Sequence, residues 1–467
     1  MWGLLGCLFL ISGVVYTYRE IRVIKKENDL LIISFVRLLY ACSCGYFAAI
    51  LCFLYAFNGI ELHLSTLVVV DYRESSLINL FIFWMCSVIG YVTLSLGYRI
   101  VRNKKIVFGK KRLLKGEMSD QLILLTALLC TIIGYVAIFI WTSDMGGISN
   151  YIKLASAIRG DYANVLGNYH MGWRKVARIL PPATYMTFFL ILKSHGRILR
   201  YWAAFIVSTI GSIIDLICND GRLTAVMFLL VLAVGYFRYG DRRDKNIKKQ
   251  FAIFAVVLFG AFVLLANLDN LSYFIRNGLA APKKVNGHGN SIFMTLMSEF
   301  TYIYKSGMTA VENCFPDGKL MLLDDIAFGI KAYIPGTSFL GECTQVSLYN
   351  TILCTGNPNS LAGSIPCDMI ALSLYDLSFF GPLIIPFAIG VAIRFIENHF
   401  RGKKNNPLSQ TFYYGMALVF IRVVTYLDAY DFITSIVPYV LLYVITICMK
   451  IVGNIRGRRR KERYARW

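Results

Sequence analysis

The residues of this chain best equipped for chemistry include cations placed where membrane orientation does not call for them. In LICNDGRLTAVMFLL, residues 216–230, a four-residue polar interruption of Asn219, Asp220, Gly221 and Arg222 separates two apolar runs. Asn-Asp-Gly is tight-turn composition, and Asp220 suits the N-cap of a following helix, so a turn explains three of the four. Arg222 is not explained by it. A guanidinium is a planar fork that grips phosphate oxygens in pairs, and just inside an apolar bundle it suits a phosphate or pyrophosphate. A simple salt bridge or a snorkelling side chain is the plainer reading.

Further cations gather in 144–176 and just beyond it, where Arg159, His170, Arg174, Lys175 and Arg178 accompany Asp161. They suit an anion-binding surface, or equally a solvated loop drawn to lipid headgroups. His170 and His288 titrate near neutrality and could serve as general bases, but neither has a partner at a recognisable spacing. Ionisable residues inside apolar runs are costly and therefore functional candidates. Here they are Arg37, Asp215 and Arg422. Arg37 lies near the inner end of its run, where snorkelling accounts for it. Arg422 lies near an outer end, within reach of Asp215 or Asp428. The sequence shows no metal-ligand cluster, no phosphate-cradling glycine loop and no nucleophile elbow, so neither metal nor cofactor is expected.

The elements that position these residues are set by composition. Of 467 residues, 57% are hydrophobic and only 16% charged, against roughly a quarter charged in soluble domains; mean hydropathy is +0.58. The chain reads as an all-α polytopic integral membrane protein. Apolar runs long enough to cross a bilayer fall at about 2–18, 34–57, 77–98, 121–143, 177–193, 201–218, 223–239, 251–267, 369–394, 409–427 and 432–452, eleven in all. The formal charge of +21 would suggest nucleic acid, but the basic residues sit between apolar runs. With the N-terminus outside, the inside segments hold 33 of the 48 Lys and Arg and the longer outside segments 12. That is the asymmetry expected of cytoplasmic loops, and it excludes nucleic acid as a partner in favour of membrane lipid. The expected layout is a bundle of eight helices over 1–267 with an external loop at 144–176. A large external segment follows at 268–368, then three helices over 369–452 and a basic cytoplasmic tail at 453–467.

The segment 268–368 is slightly acidic and carries a helical run at 291–315, so it reads as a partly helical cap over the bundle. It also holds Cys314, Cys343, Cys354 and Cys367, which in an oxidising compartment could form two disulfides or remain free. LLGC at Leu4–Cys7 lacks the basic region of a lipoprotein signal, RGD at 159–161 is coincidence, and the basic stretch 456–466 is an inside anchor.

NDGRLTAVMFLLVLAVGYF (219–237), KAYIPGT (331–337) and GNPNSLAGSIPCDMIALSLYDLSFFGPLIIPFAIG (356–390) together resemble bacterial oligosaccharide repeat-unit polymerases, the O-antigen polymerase (Wzy) class. The layout, with one large external loop about two-thirds along, is similar too. Motif likeness covers only some 60 residues, and Cys367-Asp368 departs from the pattern. The resemblance implies a metal-independent glycosyltransferase of GT-C-like architecture in the bacterial inner membrane. It would act at the outer face of that membrane on undecaprenyl-pyrophosphate-linked oligosaccharide, with a chain-length regulator as a further expected partner. A pyrophosphate leaving group needs cationic stabilisation rather than a proton, for which Arg222, Arg159, Arg174 and Arg422 are candidates. The acceptor hydroxyl needs a general base, for which His170, Asp161, Glu299 and His288 stand open. Asn357, Asn359 and Ser360 would bind sugar. A flippase for the same lipid-linked repeats, or an O-antigen ligase with a different acceptor, are the rival functions.

Overall fold

The computed structural model describes residues 1–27, 31–58, 63–64, 68–69, 74–101, 118–143, 146–150, 171–218, 222–239, 292–315, 318–331, 341–356, 365–400 and 406–464. Apart from one short hairpin, the secondary structure of these residues is helical. In chain order the elements are α1 (Trp2–Glu27), α2 (Ile32–Ala41), α3 (Ala48–Asn58), β1 (His63–Leu64), β2 (Val68–Val69), α4 (Glu74–Ile100), α5 (Asp120–Ser143), α6 (Met171–Ala177), α7 (Leu180–Lys193), α8 (Leu199–Cys218) and α9 (Arg222–Tyr239). They continue with α10 (Ile292–Glu312), α11 (Asp324–Lys331), α12 (Val346–Thr355), α13 (Met369–Leu377), α14 (Gly381–Phe400), α15 (Pro407–Thr425) and α16 (Ala429–Tyr464). The strands pair antiparallel, His63 opposite Val69.

Seven stretches among the described residues are helical, long and apolar enough to cross a membrane: Trp2–Lys26, Ile32–Phe57, Leu77–Ile100, Asp120–Ser143, Leu199–Leu216, Met369–Phe400 and Ala429–Gly453. The chain is thus built as a polytopic membrane protein. Of the other expected spans, 251–267 lies outside the described residues, while 223–239 is helical in α9 and 409–427 is helical as far as Thr425 in α15. The run 177–193 is interrupted. Helix α6 ends at Ala177, and the prolines at the start of α7 open a new helix of 14 residues, about 21 Å long at the α-helical rise.

The chain divides into two compact units. The first comprises Met1–Lys105, Asn286–His399 and Ala417–Thr434. Its centre is a close approach of two helices at glycine. A Cβ on Gly45 would stand 2.6 Å from Gly13 Cα, so only the absence of side chains lets α1 meet the run from α2 to α3 here. That run passes through a π-helical turn, Cys42–Phe47, and the Ser43 carbonyl accepts a hydrogen bond from the Tyr304 hydroxyl of α10. Tyr40 donates to the Ser87 carbonyl of α4 at 2.7 Å. Gly307 of α10 packs on the ring of buried Phe83. Helix α10, from the segment expected to lie as a cap, therefore packs directly against α4 and the π turn.

Two sequence expectations change in this unit. Helix α1 does not end with the apolar run at 18 but continues to Glu27, carrying Glu20 into the interior. Arg37 does not snorkel: it is 3% exposed and bonds Glu20, itself 0% exposed, at 2.9 Å. An acid on the facing helix neutralises it, so it has no need to reach for water.

The second unit comprises Ile106–Val285, Phe400–Met416 and Ser435–Trp467. Ala137, Ile138, Ala177 and Leu180 form a buried cluster across α5, α6 and α7, with Leu180 filling the spaces over Gly134 and Gly211. Helices α7 and α8 are joined by hydroxyl pairs, Thr184 with Ser212 at 2.8 Å and Thr187 with Ser208 at 3.3 Å. Such pairs hold helices together where the surroundings offer no water.

Candidate functional site

The richest polar cluster in the first unit forms where α12 and α16 begin. Asp325, on α11, is fully buried and accepts the Val346 N–H through Oδ1 at 2.9 Å and the Ala429 N–H through Oδ2 at 2.6 Å. One carboxylate thus satisfies donors at the starts of two helices, groups that otherwise lack intrahelical partners. Asp324 accepts the Thr344 N–H at 2.8 Å. Asp428 caps α16, accepting the Tyr430 and Asp431 N–H groups through Oδ1. Its Oδ2 accepts from the Ser347 hydroxyl at 2.6 Å and the Gln345 amide at 2.8 Å.

Burial, and then the neighbouring Asp428 charge, push the Asp325 carboxyl well above the usual carboxylate range. Burial followed by the Asp431 charge raises Asp428 in the same direction. Asp368 caps α13 by accepting the Ala371 N–H at 2.8 Å, and burial lifts it to about 7 against that bond. Its Oδ2 has no hydrogen-bond partner among the described residues.

An amide network continues from this cluster. Asn350 of α12 donates to the Ser306 hydroxyl at 2.9 Å and to the Ile365 carbonyl at 3.0 Å, and accepts from the Tyr375 hydroxyl at 2.7 Å. The Ile365 N–H returns to Thr351 of the same helix at 2.7 Å. Helix α12 ends at Gly356, in the left-handed conformation with φ 66°.

The candidates named from sequence are distributed across both units. Arg159, Asp161, His170, His288, Asn357, Asn359 and Ser360 lie outside the described residues. Arg222 opens α9 and Glu299 lies within α10, with only their backbone described. Arg174, in the second unit, sets its guanidinium 5.5 Å from the Trp141 ring centroid. Beside it, burial and then the Arg178 charge lower the Lys175 ammonium below its ordinary value. Arg422, in the first unit, sits on the last turn of α15 with its guanidinium 5.7 Å from the Tyr426 ring. Asp215 is buried on α8. Cys314, Cys343, Cys354 and Cys367 are in no disulfide, so neither expected bridge forms.

No carboxylate of the buried cluster was singled out as a base from sequence. Asp325 and Asp428 sit in LLDDIAFGI and TYLDAYDFI, acids inside otherwise apolar runs. Comparison with protein-family models, with curated proteins and with solved structures finds no match to this chain. The site and the membrane character of the helices alone carry the functional argument.

Proposed function

We propose that the protein is a glycosyltransferase that polymerises lipid-linked oligosaccharide repeats at the outer face of a bacterial cytoplasmic membrane. In this reading the growing chain passes from its undecaprenyl pyrophosphate onto the non-reducing end of a new lipid-linked repeat. The observation that carries it is the buried polar network of the first unit, in which Asp325 and Asp428 tie α12 to the start of α16 and Asn350 and Thr351 of α12 hold the backbone of Ile365. In sequence, Asn357, Asn359 and Ser360 lie between the end of α12 and Ile365. Recognition of a hydroxyl-rich substrate requires short polar side chains mounted on a rigid support.

The remaining chemistry follows from charge. The leaving pyrophosphate is already a weak base, so cations stabilise its departure better than an acid does. Arg222 is the residue assigned to this role, with Arg159, Arg174 and Arg422 as further phosphate ligands. The acceptor hydroxyl gives its proton to a base drawn from His170, Asp161, Glu299 or His288. Eleven spans, the N-terminus outside and a GT-C-like arrangement belong to the same proposal.

The test is the surface glycan ladder of the source bacterium, compared among wild type, a deletion and Arg222→Ala at matched protein levels. Polymerase action predicts that both altered strains keep single repeats and lose the ladder. Loss of every surface glycan in the deletion would transfer the function to flipping or ligation. An intact ladder in Arg222→Ala would remove that residue from the site.

A further inference from the structure

A second polar centre lies in the first unit where α1, α4 and α14 end and α2 begins. Its floor is the buried pair of Arg37 and Glu20. Only one nitrogen of Arg37 is used there: Nε and Nη2, the second Glu20 oxygen and the hydroxyls of Tyr16 and Tyr91 have no hydrogen-bond partner among the described residues. Tyr16 and Tyr91 stack with their centroids 3.7 Å apart. Buried donors left open in this way are expensive, on the order of 1–3 kcal/mol each, so a site that retains several is built for something that fills them.

The surrounding charges are lopsided. Glu397 is engaged by the Ile33 N–H at 3.1 Å and the Tyr98 hydroxyl at 2.5 Å, with Arg394 at 3.9 Å. Arg394 and Arg37 both stand over the Tyr98 ring, 4.7 and 5.5 Å from its centroid. Two more cations complete the group. Arg19 lies 5.6 Å from the Tyr91 centroid, and Arg99 lies within electrostatic reach of Arg19, Arg37 and Glu20. Four guanidiniums therefore face two carboxylates. They are graded in depth: Arg99 is exposed, Arg19 half-buried and Arg37 enclosed.

We propose that this corner binds a phosphate group, gripped by Arg19 and Arg99 at the mouth and by the open nitrogens of Arg37 at the floor. Water would fill the open hydrogen bonds but leave the excess positive charge. A neutral sugar has the same shortcoming. A tetrahedral phosphate answers both, because its oxygens accept from guanidinium forks and from tyrosine hydroxyls together. Basic pockets between helices at a membrane surface recognise lipid phosphates by this chemistry. The site uses none of the residues assigned to glycosyl transfer.

The experiment uses the purified full-length chain in a neutral detergent, following its thermal unfolding while phosphatidylglycerol, phosphatidylcholine or inorganic phosphate is titrated. Phosphatidylglycerol is expected to raise Tm, and phosphatidylcholine is not. Arg19→Gln and Arg99→Gln should each weaken the response about tenfold, the effect of losing roughly 1.4 kcal/mol, without changing the Tm of the untreated protein. Lys193→Gln, a basic residue paired with Asp120 in the other unit, should leave the response intact. A response to phosphatidylglycerol alone assigns a lipid headgroup; stabilisation by inorganic phosphate that displaces the lipid assigns a free anion. Equal responses to both lipids, or an undiminished response in the two arginine variants, would reduce the cluster to a membrane anchor and overturn the proposal.

Discussion

One carboxylate oxygen of Asp325 accepts the backbone N–H of Ala429, 104 positions later in the chain, at 2.6 Å. The other accepts that of Val346 at 2.9 Å. Two helix N-termini, each with the partial positive charge of its aligned peptide dipoles, converge on one acid. That geometry offsets part of the cost of burying it. It also ties α11 to the starts of both α12 and α16.

Removing this tie should therefore be felt as lost stability. Asp325→Ala leaves two buried N–H groups without an acceptor, at about 1–3 kcal/mol for each, so Tm of the purified protein should fall by several degrees or more. Asp325→Asn keeps one accepting oxygen but presents an NH2 to the other N–H, and should fall in between. Differential scanning fluorimetry in detergent checks the order wild type, Asn, Ala. An Ala variant as stable as wild type would show that Asp325 does not hold the two helices together.

Raised carboxyls also set a pH dependence. Asp368 stands at about 7 in the folded chain, and Asp325 and Asp428 are shifted the same way, against about 3.9 for an unfolded aspartate. Between those values the folded state holds protons that the unfolded chain has released, so stability falls as pH rises. The contribution is complete below about pH 4 and is lost as pH climbs through about 7. Melting temperature should decline from pH 5 to pH 8. Asp368→Asn, whose amide oxygen still accepts the Ala371 N–H without a charge, should flatten the decline and melt higher than wild type at pH 8. A parallel pH profile for variant and wild type would place the titrating group elsewhere.

The membrane character was legible in the sequence because hydropathy over twenty residues depends on no tertiary contact. The start of α9 was legible for the same local reason, since Asn-Asp-Gly ahead of Arg222 is turn composition; α16 starts at Ala429, before the apolar run expected from 432, because Asp428 caps it. What could not be read was pairing at a distance. Glu20 looked like part of an inside loop because the apolar run stops near residue 18, and only the facing Arg37 lets α1 carry an acid inward. Asp325 and Asp428 likewise have their partners far along the chain, at Ala429 and at Ser347. The apolar count of 177–193 concealed a break at 178–179, although its signals, Arg178 and the two prolines that open α7, are visible in sequence.

The Glu20–Arg37 pair should behave as a coupled unit. Neutralising one member alone, as in Glu20→Gln, leaves a buried guanidinium facing other guanidiniums and should cost about 3–5 kcal/mol. The double variant Glu20→Gln/Arg37→Met should recover a large part of that loss, since well-packed apolar replacements for buried ion pairs are often neutral. A thermal double-mutant cycle measures the coupling. Additive losses would mean that the two side chains do not depend on each other.

Orientation can be tested through a single thiol. Cys343 is a partly exposed cysteine outside any disulfide, between α11 and α12, in the segment that the distribution of Lys and Arg leads one to expect on the outer side of the cytoplasmic membrane. Buried Cys367 and Cys44 are shielded by their neighbours, and exposed Cys7 and Cys448 lie on apolar helices where a charged reagent is excluded by lipid. A membrane-impermeant maleimide applied to intact cells, with outer layers made permeable where present, should label wild type more strongly than Cys343→Ser, the remainder coming from partly exposed Cys314 and Cys354. Labelling of Cys343 only after the cytoplasmic membrane is broken would invert the topology. It would then put 341–356 and the network around Asn350 on the cytoplasmic side, where the proposed acceptor and donor are not found, and the polymerase reading would fall with it.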